Sequence, residues 1–397
     1  MATLRALPVT DVVLVDAGFS ARPLKQAMES SGYRVHTVGA RGTDALAMEN
    51  PQHHFLDYSN VSDLCKLIEQ LRPTAVLPGC TDLSYEVCCQ LAESGLIEGF
   101  ESSDNLRQLH DKAAFRALCQ RHHIFSPQTF VSIDEALSAA CSLVVKPTDA
   151  FSGKGITILE APTRASIHAA QEVAIGVSRS NNCVIEEYVT GQLFSFSAFL
   201  SEGSVDQAFT VIEFGFVNPL VVDTSFVVDA ESTEIILARH TEVLCAALGI
   251  ANGLFHIQYI LTADGPCLIE VTRRCPGDLY SELIHRTLGF DYAGRYTSGF
   301  LGSASPAVSR STNDTRNNHV IRHTVTGSKT GYLASLEFKK SQALKAWYPL
   351  AVSGAALAPS PSGRVGVAFY GVDSTEARDE LLQLISDDDL VSICYSG

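Results

Sequence analysis

The sequence predicts an α/β chain that passes into α+β, and three observations carry that expectation. Over the first hundred or so residues, apolar runs of strand length alternate with stretches of helix length, the order that builds β-α-β units. The middle of the chain is rich in short apolar or alternating runs, and its last part pairs an apolar strand with a capped helix. With 397 residues, 46% of them hydrophobic, the chain can bury a large core, and its length suggests two or three domains.

Taken in order, "DVVLVDA" is the first strand, "RPLKQAMESSG" a helix that stops at Gly32, and "YRVHTVG" the second strand. "VSDLCKLIEQLRP" and "TAVLPGC" repeat the unit. The first strand leads into "DAGFSA", which has one glycine where a dinucleotide fingerprint needs three, so a nicotinamide-binding domain is disfavoured. "SDNLRQLHDKAAFRALCQRHHI" follows as a helical stretch, with Leu106, Leu109, Ala113 and Leu118 near helical spacing, and it stops before "FSPQTF". "LVVKP" and "GITIL" are strands. "VIEEYVTGQLFSFSAFL" reads as two, the second with Phe194, Phe196 and Ala198 alternating against Ser195 and Ser197. The stretch from Ser298 to Asn318 is rich in Ser, Thr and Asn and lacks periodicity, which predicts a long loop or linker. "RVGVAFYGV" is then a strand and "STEARDELLQLI" a helix opened by a Ser/Thr cap. No internal repeat of solenoid period is found.

Composition narrows the function. A formal charge of -15 and the lack of any Lys/Arg run argue against a nucleic-acid partner bound through counterion release. The eleven cysteines sit among apolar residues without CxxC spacing, and their odd number fits reduced thiols rather than a disulfide framework. The N-terminus lacks the apolar core and cleavage site of a signal peptide, and no stretch reaches transmembrane length. The expectation is a cytoplasmic protein with no membrane partner.

One segment carries chemistry. "LFHIQYILTADGPCLIEVTRR" holds two apolar runs joined by "TADGP", a hairpin signal. A turn centred on Asp264 makes Gln258 and Glu270 cross-strand partners, and likewise His256 and Thr272. Alternation then gathers His256, Gln258, Glu270 and Thr272 on one face, and Phe255, Ile257, Tyr259, Ile269 and Val271 on the other. Such a polar patch could hold Mg²⁺, which takes one or two carboxylates and keeps waters; equally, Glu270 could pair with Arg273 or Arg274 at a solvated edge. In "KPTDAFSGKGI", Lys146 ends an apolar strand before a small-residue loop with Gly153 and Gly155, which either lets backbone N–H groups approach phosphate oxygens or simply joins two strands. In "VIEEYV", Glu186 ends a strand where backbone groups could hold a flat heterocycle or form an exposed acidic turn.

In this order and spacing, "HDKAAFRALCQRHHIFSP", "VVKP", the glycine loop, "VIEEYVTG" and "HIQYILTADGPCLIEVTRRCPGD" resemble the ATP-grasp superfamily, especially its carboxylate-amine (amino-acid) ligase branch. The resemblance covers nearly the whole chain. It implies an ATP-grasp architecture: a Rossmann-like pre-ATP-grasp domain over 1–105, a small lobe with a lid loop over 106–190, a large lobe with the metal hairpin over 191–305, and a C-terminal α+β subdomain over 319–397. By the same resemblance, Lys112 and Lys146 neutralise nucleotide phosphates beneath a lid formed by Gly153, Lys154 and Gly155. Glu186 accepts from the adenine amino group while the backbone of Glu187, Tyr188 and Val189 reads the rest of its edge. Gln192 lies where the ribose is recognised. Glu270 is the main ligand of Mg²⁺ or Mn²⁺, with Gln258 and Thr272 beside it, and Arg274 steadies a carboxylate or acyl-phosphate.

The sequence departs from the family at three positions. The family usually carries an acidic residue at the place of Gln258, an asparagine at that of Thr272, and often a glutamate at that of Leu193. The resemblance implies an ATP-dependent ligase with Arg274 and Lys146 as catalytic residues. A substrate carboxylate would be phosphorylated by ATP, an amine would then displace phosphate, and both substrates would be small molecules of amino-acid type. A nucleotide-binding protein without turnover and a carboxylase working through carboxyphosphate are the alternatives. Arg273, Arg274, Asp278, Tyr280 and residues 212 to 226 are candidates for the substrate lining, and a homodimer is the superfamily's common habit.

Overall fold

Strand β1 (Thr10–Val15) forms because TDVVLV is an apolar run that can be covered on both faces, and Val12 to Val15 are fully buried. A computed structural model describes residues 10–150, 153–302, 319–360 and 362–396. The chain divides into two units, Met1–Ser103 with Arg273–Thr315, and Asp104–Thr272 with Arg316–Gly397.

In the first unit, β2 (Tyr33–Gly39), β3 (His53–Phe55) and β4 (Ala75–Pro78) join β1 in parallel, in the order β3-β2-β1-β4. The chain steps from β1 outward to β2 and β3, then crosses back to β4. That reversal makes the carboxyl ends of β1 and β4 the switch point at which open sheets of this kind bind ligands. The helix Arg22–Ser30 closes before Gly32, which takes a φ of +89°, as the Gly stop predicts. The helices Tyr280–Leu288 and Tyr292–Leu301, from much later in the chain, belong to this unit.

The second unit begins with the helices Ser103–His110 and Lys112–Arg121. Sequence periodicity predicts one helical stretch here; the structure breaks it at Asp111, whose carboxylate accepts from the Ala114 amide at 2.9 Å and so caps a new helix starting at Lys112. Next come β5 (Thr129–Phe130), β6 (Leu143–Pro147), β7 (Thr157–Leu159) and β8 (Cys183–Glu187), an antiparallel sheet of order β5-β8-β6-β7. The helix Arg164–Val177 buries Ile167, Ala170 and Ala174 against it.

The remaining strands are β9 (Gln192–Ser201), β10 (Ser204–Phe214), β11 (Thr224–Val228), β12 (Gly253–Thr262), β13 (Gly265–Thr272), β14 (His319–Thr326), β15 (Gly331–Phe338), β16 (Leu344–Pro349), β17 (Ala356–Leu357), β18 (Arg364–Val372) and β19 (Val391–Ser396). Eight form one sheet of order β13-β12-β9-β10-β11-β14-β18-β16, and three a small sheet of order β17-β15-β19. The helix Glu231–Leu248 covers one face of the large sheet, where Phe196, Ala198, Leu200, Phe255, Ile257 and Tyr259 meet Leu237, Leu244 and Leu248. Strand alternation therefore turns Ser195, Ser197, His256 and Gln258 to the opposite face. Near the C-terminus, Ser374 accepts from the Ala377 amide at 3.2 Å and caps the helix Thr375–Ser386.

Two expectations change. Residues 191–305 and 319–397 do not separate at the linker: β14 pairs with β11, so the C-terminal strands continue the sheet of β9 to β13, while Arg273–Thr315 pass to the first unit. Ser298 to Leu301 are the last turn of a helix; residues 303–318 of the expected linker lie outside the described residues. No helix among the described residues is long and apolar enough to cross a membrane.

Candidate active site

The hairpin β12–β13 forms with the expected partners, His256 against Thr272 and Gln258 against Glu270, but by another route. Its turn is Ala263-Asp264, with Thr262 opposite Gly265. A bulge near Ile269, between the pairs Gln258–Glu270 and Tyr259–Leu268, then shifts the register by one residue. Ile269 is thereby removed from the regular apolar row in which alternation places it. Glu270 is exposed, Gln258 is half-buried, and His256 and Thr272 are buried. His256 Nδ1 lies 2.6 Å from the Ser197 hydroxyl on β9, so this histidine is tied into the sheet.

The same face continues across the sheet. Gln258 is registered opposite Ser195 on β9, Glu213 on β10 opposite Ser225 on β11, and Ser225 opposite Arg322 on β14. The Gln258 amide donates to Glu213 Oε2 at 2.7 Å, and Arg322 Nε donates to Ser225 Oγ at 2.9 Å. Glu213 and Arg322 are both buried. Burial pushes the Glu213 carboxyl above its ordinary value, opposed by the Ser195 hydroxyl, the Gln258 amide and the Arg322 charge, while Glu270 adds to the rise. Sequence reasoning did not single out Glu213 or Arg322 on this face. The one available signal for Glu213 was a lone acid inside an apolar strand, "VIEF", within the stretch considered for substrate lining.

A second polar cluster sits in the four-stranded sheet. Glu186 on β8 is fully buried between Lys146 Nζ, 2.5 Å from Oε2, and Arg116 Nε, 2.9 Å from Oε1. Arg116 also donates to the Ile269 carbonyl at 2.7 Å. Lys112, buried, donates its ammonium to the Ala150 carbonyl at 3.2 Å, just before the glycine turn. Burial lowers the pKa of Lys146, with Arg116 and Lys112 lowering it further and Glu186 working against them. Burial alone would raise the Glu186 carboxyl, but Lys146 and Arg116 hold it below the usual carboxylate value. Two buried cations share one carboxylate, with Lys112 adding its charge near Lys146, and such an excess is costly unless an anion completes it.

The turn itself has Gly153 and Gly155 at φ +71°, with Lys154 exposed between them. A Cβ on Gly153 would stand 2.8 Å from the Leu220 carbonyl oxygen, so only glycine fits that approach. Glu186 does not form an acidic turn. Its carboxylate belongs to the buried triad, and the backbone N–H groups of Glu187 and Tyr188 already donate to the carbonyls of Gln128 and Ser142. Val189 follows half-buried. Gln192 spends its amide nitrogen on the Leu193 and Glu213 carbonyls, at 3.1 and 2.7 Å, anchoring β10 to β9.

Arg274 and the neighbouring lining candidates fall in the first unit. Its guanidinium grips Asp82 with both prongs at 3.0 Å, and Arg273 pairs with Glu101. The Asp278 amide donates to Ser20 Oγ at 2.9 Å, and Tyr280 is buried. A carboxylate brought to Arg274 would compete with Asp82. Residues 212 to 226 lie in the second unit, with Asp223 accepting from the Val217 amide at 2.9 Å.

Glu270 with the carbonyl of Gln258 and the hydroxyl of Thr272 is an all-oxygen set, the chemistry a hard cation selects. The cation excess around Lys112, Arg116 and Lys146 suits phosphate oxygens. Among the described residues no group of three or more His, Cys, Asp or Glu side chains is placed to hold a metal, so oxygens of other kinds would have to take part.

No family model matches this chain. Among curated proteins it is 33% identical over 69 residues to dapdiamide A synthase of Enterobacter agglomerans, covering 17% of this chain and 16% of that protein. It is 25% identical over 190 residues to a formate-dependent phosphoribosylglycinamide formyltransferase of Burkholderia vietnamiensis, covering 45% and 46%. The chain thus spans less than half the length of these curated relatives. An L-amino acid ligase from Bacillus licheniformis superposes with a TM-score of 0.78 at 16% identity, over 98% of this chain and 99% of that one. A biotin carboxylase domain of Hydrogenobacter thermophilus 2-oxoglutarate carboxylase, solved with MgADP and bicarbonate, gives 0.75 at 13% identity over 97% and 91%.

Proposed function

With the ATP-grasp fold as the premise, we propose that the protein is an ATP-dependent carboxylate-amine ligase that forms an amide or peptide bond and releases ADP and phosphate. The observation that carries this reading is the buried surplus of positive charge at Lys112, Arg116 and Lys146, set beside a glycine turn whose close approach to Leu220 a Cβ at Gly153 would disturb. Such a cluster is suited to a polyphosphate.

In the proposed reaction a substrate carboxylate oxygen attacks the γ-phosphorus, the bond to ADP breaks, and an acyl-phosphate forms. The amine nitrogen then attacks the acyl carbon, the C–O bond to phosphate breaks, and the nitrogen's proton passes to the departing phosphate or to solvent. Lys146 and Lys112 hold and neutralise the phosphates, and the amides around Gly153, Lys154 and Gly155 close on them. Glu186 keeps Lys146 in place. Glu270, with the oxygens of Gln258 and Thr272, would hold Mg²⁺ or Mn²⁺, which when bound offsets charge on the transferring phosphoryl oxygens. Within the same unit, Arg322 is the guanidinium offered to a substrate carboxylate. The names of the dapdiamide synthase and the amino acid ligase favour substrates of amino-acid type.

The neutral side chain at Gln258 favours a second reading, a nucleotide-binding protein without turnover. Product analysis separates the two. Purified protein is incubated with ATP and Mg²⁺, with and without pooled amino acids, and ADP is resolved from AMP. ADP that depends on the pool is the expected result. AMP would overturn acyl-phosphate chemistry, and nucleotide binding with no product from any pool would favour the binder.

A further inference from the structure

We propose that Glu213 is a positioning residue of the cation site, completing on β10 what the uncharged Gln258 leaves undone on β12. The inference rests on the proposed Mg-ATP reading of the hairpin.

Gln258 and Glu270 are cross-strand partners, so a cation held by Glu270 is within reach of Gln258 through only one of its two amide atoms, the carbonyl oxygen. An amide free to flip would present its NH₂ group half the time, and that group repels a cation. The flip is decided by Glu213. When ionised, a carboxylate accepts hydrogen bonds and cannot donate them, and Glu213 Oε2 stands 2.7 Å from Gln258 Nε2. The NH₂ end is therefore held on the β10 side, and the carbonyl is left for the Glu270 side. Glu213 is itself held: it is 5% exposed, its own carbonyl receives the Gln192 amide at 2.7 Å, and its strand is registered against β9 and β11. The carboxylate also returns to this face the negative charge that an amide at 258 lacks. Gln192, placed by sequence at the ribose, thus acts by fixing the backbone of Glu213. The arrangement is that of a ligand oriented by a buried partner which does not itself touch the metal.

The test measures Mn²⁺ binding in the presence of ADP, by electron paramagnetic resonance or calorimetry, on the full chain. Glu213→Gln should weaken Mn²⁺ by roughly ten- to a hundredfold, the usual effect of losing such a partner. Adding Gln258→Glu to that variant moves the carboxylate onto the ligand position and should bring affinity back to near that of the unaltered protein. Unaltered Mn²⁺ affinity in a folded Glu213→Gln protein, with affinity lost in Glu270→Gln, would overturn this inference and leave the ligase reading standing. Unaltered affinity in both variants would overturn the cation site itself, and the inference with it. Should Glu213→Gln fail to fold, Glu213→Asp keeps the charge but shortens the reach to the Gln258 amide. A loss of about threefold or more is then expected, and no loss would overturn the proposal.

Discussion

Glu186 and Lys146 touch each other, yet their removal should have different consequences. Glu186→Gln leaves Lys146 and Arg116 buried without a counter-charge, a change that costs roughly 3–5 kcal/mol. Lys146→Met leaves Glu186 with Arg116 and should cost little stability, while removing a charge-assisted contact to phosphate worth about 1.5–3 kcal/mol, or at least tenfold in nucleotide affinity. Thermal melting and ADP titration of both variants check this; a Lys146→Met protein that binds ADP like the unaltered chain would exclude Lys146 from the phosphate site. A second residue sets a pH dependence. The Thr224 hydroxyl donates to Asp223 at 2.7 Å, so His323 Nδ1, 2.9 Å from that hydroxyl, is the donor of that contact. Burial, helped by Arg322, pushes the His323 pKa down to about 3 from 6.5. Because the folded value is depressed, its contribution is complete above pH 6.5 and is lost as pH falls from there toward 3. At pH 5 the loss is about 2 kcal/mol. Urea melts at pH 7.5 and 5 should show it, and His323→Gln should flatten the difference. Lys146 and Glu270 could be singled out as candidates because each is a charged residue in a largely apolar strand. Glu213 was not legible as Gln258's partner, because that contact depends on β9 lying between β12 and β10, an order no local pattern records.

At the level of elements, the hairpin shows how a right pairing can follow from a wrong turn. Alternation with a turn centred on Asp264 pairs Gln258 with Glu270; the structure reaches the same pair with a tighter turn and a bulge. Two-residue periodicity cannot see a bulge, since the extra residue looks like one more apolar position. The helix break at Asp111 escaped for a related reason. The apolar spacing runs through it, and only the capping bond to Ala114 marks a new start, which brings Lys112 to the first turn beside Ala150. The glycine turn was legible as a composition, and its geometry now makes a prediction. Gly153→Ala meets both a positive φ and the Leu220 oxygen at 2.8 Å, so the turn must shift. A stability loss of about 1 kcal/mol or more is expected, with weaker nucleotide binding. Gly176, a helix position with open space around it, is the control: Gly176→Ala should be neutral or stabilising. Equal behaviour of the two variants in melting and ADP titration would remove the close approach as the reason for Gly153.

For the molecule as a whole, the division into two units decides where a nucleotide should be felt. Lys112, Arg116, Lys146, Gly153, Glu186, Gln258 and Glu270 all belong to the unit Asp104–Thr272 with Arg316–Gly397. The parallel sheet β1 to β4 belongs to the other, with its own core of Val13, Val15, Val38, Leu64 and Ile68. Binding stabilises only what it contacts or orders, and at a hundred times the dissociation constant the gain is about 2.7 kcal/mol. Amide hydrogen exchange with MgADP should therefore slow across 112–155, 184–192 and 256–272, while β1 and β4 serve as an internal reference whose exchange hardly changes. Slowing confined to β1 to β4 would place the nucleotide at the carboxyl ends of the parallel sheet instead, where Asp16 and the Cys80 amide meet at 2.8 Å. That outcome would set aside the buried cation cluster as the phosphate site. Its surplus charge would then require another anion, because Lys146 and Arg116 together exceed what Glu186 alone offsets, and an uncompensated buried charge is costly.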